Sequence, residues 1–196
     1  MPGEQALRRL MEGNRRYVEG RLTRLNQSPS YRAVLTEAQS PFAVILGCSD
    51  ARVPAEIIFD QGLGDLFVVR VAGNVLDEGS VLGSIEYAVA VLDVPLIVVL
   101  GHERCGAVME AVDAVRQQRF SLGHIENLAR RIRPAVERVR NNPGDWVDNA
   151  IAANIREVVR QLQCAEPVLA RGVSASTLTV VGACYSLETG VVSLLD

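Results

Sequence analysis

The chain has 196 residues, of which 48% are hydrophobic and 22% charged, and its net charge is −3 at pH 7. This size and composition predict one globular domain with a sizeable core. All 20 basic residues are arginine, and the balance lacks the excess of positive charge that is typical of proteins that bind nucleic acid or anionic membranes. No apolar stretch has the length of a membrane span, and no secretory signal is recognisable. We therefore expect a cytoplasmic protein with no nucleic-acid or membrane partner.

The order of predicted elements indicates the fold class. Apolar residues at helical spacing predict an amphipathic helix at 4–19, and the polar stretch 21–40 predicts an arm with a short helix at 31–38. From residue 41 onward, strands alternate with helices, which is typical of a parallel sheet. The predicted strands are 42–46, 66–71, 96–100, 178–184 and 191–195, and the predicted helices are 54–59, 79–92, 106–118, 124–140 and 145–163.

We thus expect an α/β fold: a single domain at 41–196 with a central, mostly parallel β-sheet flanked by helices, preceded by an N-terminal helical arm at 1–40. Of the four cysteines, Cys164 and Cys184 lie in or after apolar patterns and are expected to be buried thiols. The other two lie at strand ends.

Metal-ligating side chains follow two of the predicted strands. Cys48 comes just after the strand 42–46, and His102 and Cys105 come just after 96–100. Neither strand has polar alternation, so both are expected to be buried in a parallel sheet, whose carboxyl ends form the ligand-binding edge. Thiolate and imidazole suit Zn²⁺, and a Cys₂His set leaves a fourth tetrahedral position. The sequence therefore predicts a zinc site at Cys48, His102 and Cys105.

Asp50 and Arg52 lie beside this predicted site. An arginine two positions from an aspartate can hold the carboxylate in a bidentate ion pair and keep it ionised. If Asp50 turns to Arg52, the fourth zinc position is open for water. If Asp50 turns to the metal, it is the fourth ligand and the site is closed.

Four segments carry a resemblance to a known family. The segments 47–54 (GCSDARVP), 65–74 (DLFVVRVAGN), 83–89 (GSIEYAV) and 101–107 (GHERCGA) resemble those of the β-class carbonic anhydrases, and the similarity extends over essentially the whole chain. The resemblance implies a zinc cofactor held by Cys48, His102 and Cys105. It implies that Asp50 and Arg52 form the catalytic dyad. The implied activity is the reversible hydration of CO₂ to bicarbonate and a proton by zinc-bound hydroxide.

The resemblance also implies substrate-binding residues and an assembly. Gln61 is similar to a glutamine that donates a hydrogen bond to substrate or bicarbonate in some members, which favours the open site. The backbone N–H of Gly106, at a helix start, is a second candidate donor to bicarbonate. Tyr87 resembles a residue near the pocket, although a buried structural tyrosine fits the sequence nearly as well. The N-terminal arm is expected to wrap a partner subunit in a homodimer that can pair into tetramers.

Other functions share part of this pattern. A hydrolase of COS or CS₂ would use the same zinc scaffold and differ in access to the pocket. A non-catalytic bicarbonate-responsive protein is also compatible with the scaffold, but loss of Asp50 or Arg52 would favour it, and both are present. A thiol-redox protein would need no His102, and the chain has no Cys-x-x-Cys motif.

Overall fold

A computed structural model describes all 196 residues and has one five-stranded sheet with helices on both faces. The strands are β1 (Ala43–Gly47), β2 (Leu66–Arg70), β3 (Leu96–His102), β4 (Thr179–Tyr185) and β5 (Val192–Leu195). The helices are α1 (Gly3–Val18), α2 (Pro29–Val34), α3 (Ala55–Ile58), α4 (Ser80–Val91), α5 (Gly106–Arg116), α6 (Ile125–Arg138), α7 (Trp146–Gln163) and α8 (Leu169–Ser174), with a 3₁₀ turn at Ala72–Asn74.

The strand order confirms the predicted α/β class. The order across the sheet is β2-β1-β3-β4-β5, in which only β5 runs antiparallel to its neighbour. The chain passes from β1 to β2 on one side and then crosses to β3 on the other side. Ligands of open α/β sheets bind at such a change of direction, outside the carboxyl ends of the strands. The gap between β1 and β3 is therefore the position where this fold favours a site.

The strands β1 and β3 are buried along their whole length because each face of the sheet has its own core. On one face, Ile97 and Val99 pack in a core that includes residues of α5, α6 and α7. On the other face, Ile45 and Leu100 pack with residues of α1 and α3. Burial on both faces explains why these strands have apolar runs with no polar alternation.

The helix α1 packs on its own chain. Ala6 and Leu10 are fully buried in the core of the α1 face. Gly13 permits close contact, because a Cβ built there would lie 1.8 Å from the carbonyl oxygen of Phe59. Asn14 donates to the carbonyls of Ile58 and Gly190, at 3.2 and 2.9 Å, and accepts from the N–H of Val192. The apolar stripe of α1 is thus covered within the chain, whereas α2 has no buried residue.

A buried carboxylate fixes the segment that follows α1. The side chain of Asp60 is 1% exposed and forms an ion pair with Arg16 at 2.6 Å. It also accepts from the backbone N–H groups of Thr23 and Arg24 and from the Thr23 hydroxyl. Burial opposes ionisation, but these donors outweigh it and lower the pKa of Asp60 to about 2. Asp60 therefore attaches the start of the arm segment to the end of α3.

Several local predictions differ from the structure. The short helix of the arm is Pro29–Val34 rather than 31–38, because Ser28 caps it by accepting from the N–H of Tyr31 and proline occupies its first turn. The helix α8 and the 3₁₀ turn were not predicted. The prediction that Cys164 is buried is wrong, since it lies exposed at the end of α7, and Cys184 is only partly buried. None of the helices combines the length and apolar character that crossing a membrane requires.

We predict that Asp60→Asn lowers the free energy of unfolding by about 1–3 kcal/mol at neutral pH, because buried donors lose an ionised acceptor. The folded-state pKa of Asp60 lies below its unfolded value of about 3.9. Its contribution is therefore complete above about pH 4 and declines as pH falls towards about 2. Urea unfolding of both proteins at several pH values measures this difference, and the control is Asp113→Asn, which changes a carboxylate whose side chain is 44% exposed. A difference between wild type and variant that does not change with pH would contradict the prediction.

Candidate metal centre and active site

The fold brings the three predicted zinc ligands together at the carboxyl ends of β1 and β3. Cys48 directly follows β1, and His102 is the last residue of β3. Cys105 is the N-cap of α5, so the positive end of the helix dipole faces its backbone. The parallel register pairs Gly47 with Leu100 and so aligns the two strand ends. All three ligand side chains are buried.

The distances between the ligand atoms fit a tetrahedral zinc site. The sulfur atoms of Cys48 and Cys105 are 4.0 Å apart. The ligand atoms of Cys48, His102 and Cys105 all lie within 4.8 Å of one another. Zinc–sulfur bonds of about 2.3 Å at a tetrahedral angle would place two sulfurs about 3.8 Å apart. The protein thus presents these atoms at nearly the separation that Zn²⁺ requires.

The imidazole of His102 is oriented for metal binding. Its Nδ1 lies 2.8 Å from the carbonyl oxygen of Glu103. Because a carbonyl only accepts, Nδ1 carries a proton, and in the neutral imidazole that binds metals the lone pair is then on Nε2. Nε2 is buried and has no hydrogen-bond partner. Such a buried atom is costly unless it is satisfied, and a metal ion between it and the two sulfurs would satisfy it.

The two thiols differ in their surroundings. Cys48 Sγ shares a hydrogen bond with Cys105 Sγ, 4.0 Å away, and accepts from the N–H of Gly73, whose nitrogen is 3.3 Å away. The Cys105 hydrogen bond is the largest effect that lowers the pKa of Cys48, and the same bond raises the pKa of Cys105. The two coupled sulfurs therefore retain one proton between them. Since zinc binds thiolates, metal binding releases this proton, and the zinc affinity rises with pH.

The Asp50 carboxylate is bound by Arg52 and is not one of the clustered metal-ligand atoms. Its Oδ1 accepts from the Arg52 backbone N–H and Nε, both at 2.9 Å, and its Oδ2 accepts from Arg52 Nη2 at 2.7 Å. This ion pair holds the pKa of Asp50 well below its usual range. Asp50 Oδ2 nevertheless lies 3.9 Å from Nε2 of His102. An ionised carboxylate of fixed orientation therefore borders the metal centre.

One positioning residue of this loop was missed by the sequence analysis. Arg70, the last residue of β2, donates from Nε to the carbonyl of Cys48 at 2.9 Å and from Nη2 to the carbonyl of Asp50 at 2.5 Å. It thereby fixes the backbone that carries both side chains. A signal was present in the sequence, since Arg70 is the one charged residue of an otherwise apolar strand.

The three predicted substrate-binding residues lie in different places. Gly106 is the first residue of α5, where the N–H has no helical partner, and the space at its Cβ position is open. Gln61 is buried, and its Nε2 donates to the carbonyl of Phe59 at 2.7 Å on the α1 side. Tyr87 is 49% exposed on α4, with its ring 6.4 Å from that of Phe67. The alternative of a buried structural Tyr87 is therefore wrong, and no polar contact of Gln61 or Tyr87 reaches the cluster.

Comparison with known proteins agrees with this geometry. The profile of the carbonic anhydrase family matches residues 43–192. A carbonic anhydrase of Mycolicibacterium smegmatis is 47% identical over 96% of the chain and 91% of its own length. The chain belongs to the carbonic anhydrase family. Carbonic anhydrase 2 of Mycobacterium tuberculosis is 46% identical to this family member over 97% of the chain and 92% of its own length.

Solved structures place this carbonic anhydrase in the β class. The β-carbonic anhydrase CcaA superposes with a TM-score of 0.76 at 28% identity, covering 97% of this chain and 87% of its own. A tetrameric β-carbonic anhydrase of Sordaria macrospora has the same fold, with a TM-score of 0.76 at 21% identity and 98% coverage of both chains. The cofactor of this class is zinc, which the Cys48, His102 and Cys105 cluster fits.

We predict that the protein purifies with about one zinc per chain and that Cys48→Ala purifies without it, because two remaining ligands hold zinc too weakly. Elemental analysis of dialysed protein measures the stoichiometry. The matched control is Cys184→Ala, which removes a thiol outside the cluster and should retain zinc. Stoichiometric zinc in the Cys48→Ala variant would contradict the ligand assignment.

Proposed function

We propose that this carbonic anhydrase hydrates CO₂ reversibly to bicarbonate and a proton, with Zn²⁺ held by Cys48, His102 and Cys105. The observation that carries the proposal is the buried, unpartnered Nε2 of His102 beside two sulfurs and an ionised carboxylate. Zinc in such a site supplies a water that ionises near neutral pH and can attack CO₂. The chain's own residues must then orient this nucleophile and receive the developing charge.

Asp50 is the proposed orienting group. Since Arg52 keeps it ionised, Asp50 can only accept hydrogen bonds. A carboxylate so close to His102 Nε2 would accept a hydrogen bond from a nucleophile held at the metal, and this bond would direct the nucleophile's lone pair at the carbon of CO₂. We place Asp50 and Arg52 in the catalytic dyad on this basis, and the Asp50–Arg52 ion pair supports the open site as the resting state.

The bicarbonate charge requires a hydrogen-bond donor, and the N–H of Gly106 is the proposed one. It begins α5 directly after the ligand Cys105, so the free N–H groups and the dipole of the helix face the metal centre. The contacts of Gln61 and Tyr87 lie away from the metal centre of their own chain. These two residues can therefore bind substrate only if a second copy of the protein presents them to the site, and their role in substrate binding stays a prediction.

We predict that Asp50→Asn keeps zinc but lowers kcat for CO₂ hydration by at least about 10²-fold, because the amide can also donate and no longer fixes the direction of the nucleophile's proton. Stopped-flow measurement of CO₂ hydration with a pH indicator tests this. The control Asp113→Asn removes an exposed carboxylate that pairs with Arg116 and should keep wild-type turnover. Wild-type turnover of a zinc-loaded Asp50→Asn variant would contradict the dyad.

Arg52→Ala is predicted to close the site. Without the two side-chain contacts from Arg52, the Asp50 carboxylate keeps only the backbone N–H of residue 52, and its nearest strong partner is the zinc ion, which it then ligates. A crystal structure of the zinc-loaded variant measures the Asp50–zinc distance, and Arg116→Ala provides a control for loss of an exposed arginine. An Asp50 side chain that still faces away from zinc would contradict this prediction.

A homodimer that can pair into tetramers is the proposed assembly, and the cytoplasm is the proposed location. The strand β2 is an exposed edge of the sheet with half-buried side chains, and such edges need a cover. The helix α2 buries none of its residues, and Val34 on it is 72% exposed. The Sordaria macrospora relative is described as tetrameric. These features support an interface formed by β2 and the N-terminal arm.

We predict that Val34→Asp dissociates the assembly, because a charge on the exposed face of α2 would be buried without a partner in the interface. Analytical ultracentrifugation measures the mass of the variant and of the control Val34→Leu, which keeps an apolar surface. A truncation before Pro41 is expected to aggregate and lose activity, since it also removes Leu10 from the core. A monodisperse, active monomer, full-length or truncated, would contradict the assembly.

A further inference from the structure

A side chain of α7 contacts the turn that lies against the Cys48 sulfur. Asn154 is 3% exposed, and its Nδ2 donates to the carbonyl oxygen of Gly73 at 2.9 Å. The N–H of the same Gly73 donates to Cys48 Sγ at 3.3 Å. We propose that Asn154 is a positioning residue of the metal centre, which keeps the Gly73 N–H directed at the Cys48 thiolate.

The turn needs such a restraint because its central residue is glycine. Gly73 has φ of 72°, a left-handed conformation that costs glycine little. A Cβ at this position would lie 2.9 Å from Ile132 Cδ1 and 3.0 Å from Ala107 Cβ. Neither the conformation nor the space therefore admits a larger residue. No side chain at position 73 can restrict the backbone of this turn, so its conformation depends on contacts from other parts of the chain.

Two hydrogen bonds hold the peptide group between Gly73 and Asn74. Its N–H, from Asn74, donates to the carbonyl of Val71 at 2.9 Å, and its carbonyl accepts from Asn154. Without Asn154, this buried carbonyl loses its side-chain donor and the peptide group is held on one side only. The preceding peptide group, which carries the N–H that donates to Cys48, is joined to it at the Gly73 Cα and so loses its fixed neighbour on that side.

The helix that carries Asn154 is itself fixed against the metal centre. Ile155, the next residue of α7, packs on Gly101, where a Cβ would lie 2.5 Å from Ile155 Cδ1. Gly101 directly precedes the ligand His102 in β3. Through Asn154 and Ile155, α7 therefore contacts both the turn beside Cys48 and the strand that carries His102.

An N–H donor to a metal thiolate has a measurable effect. It withdraws charge from the sulfur and restrains its direction, and loss of such outer contacts typically weakens metal binding about 10- to 100-fold. Asn154 touches neither substrate nor metal, so its effect is expected on the metal–sulfur bond. If Asn154 only satisfied the buried Gly73 carbonyl, its loss would lower the free energy of unfolding and leave the metal–sulfur bond unchanged.

The test compares Asn154→Leu with the matched control Asn149→Leu. Asn149 lies on the same helix and also donates to a carbonyl, that of Pro143, away from the metal centre. We expect zinc affinity, measured by competition with a chromophoric chelator, to fall about 10- to 100-fold in Asn154→Leu alone. In the Co²⁺-substituted variant, the thiolate-to-cobalt charge-transfer band is expected at longer wavelength, because the sulfur has lost a donor. Asn149→Leu should match wild type in both measurements.

A second pair of variants covers the case in which Asn154→Leu does not fold. Asn154→Ser keeps a hydroxyl donor and Asn154→Ala has none, so only the alanine variant should show the shifted cobalt band. The proposal rests on zinc binding by Cys48, His102 and Cys105. If wild type bound neither metal, the zinc assignment itself would fail, and this proposal with it. If wild type binds both metals and the variants share its band and affinity, only the role of Asn154 is overturned.

Discussion

The buried cluster of two sulfurs and one imidazole is the constraint on which the rest of the structure depends. Its ligand atoms lie within 4.8 Å of one another, and the Nε2 of His102 has no hydrogen-bond partner. Buried polar atoms without partners destabilise a fold, so the cluster is stable only if something satisfies it. Zinc held by these residues would do so and would link the ends of β1 and β3, so its binding energy would be part of the folding energy of these strand ends.

The surrounding contacts share one purpose, which is to fix the loop that follows β1. Arg70 holds the carbonyls of Cys48 and Asp50, and Arg52 holds the Asp50 carboxylate. Gly73 adds a donor to the Cys48 sulfur. Arg70 and Gly73 act on the loop from outside it and Arg52 acts from within it, so the ligand and the carboxylate keep their relative positions. Fixed groups of this kind stabilise a transition state without reorganising during the reaction.

Apolar runs and ligand types predicted much of this arrangement. The runs that form β1 and β3 have no polar alternation, and the metal-ligating residues follow them directly, so both the buried strands and the zinc ligands were predictable. Asp50 and Arg52 are two positions apart, and their ion pair is a local feature of the sequence. The start of α2 is also encoded locally, by Ser28 and the following proline, which place it before residue 31.

Contacts between distant segments were not predictable in the same way. Asn154 and Gly73 are 81 positions apart, and the pattern of α7 gives no reason to expect a backbone partner for a buried asparagine. The docking of α1 on its own chain depends on Gly13 and Asn14, which look like interruptions of an amphipathic helix until the neighbouring backbone is known. The places of Gln61 and Tyr87 likewise depend on tertiary packing.

The proposed activity requires that zinc at Cys48, His102 and Cys105 supports CO₂ hydration. The most direct measurement follows the CO₂ hydration rate and the zinc content of the same preparation before chelation, after chelation and after zinc is restored. We expect the rate to fall in proportion to the zinc removed and to return when about one zinc per chain is bound again. Full hydration activity in zinc-free protein would contradict it, as would zinc-loaded protein that hydrolyses CS₂ but does not hydrate CO₂.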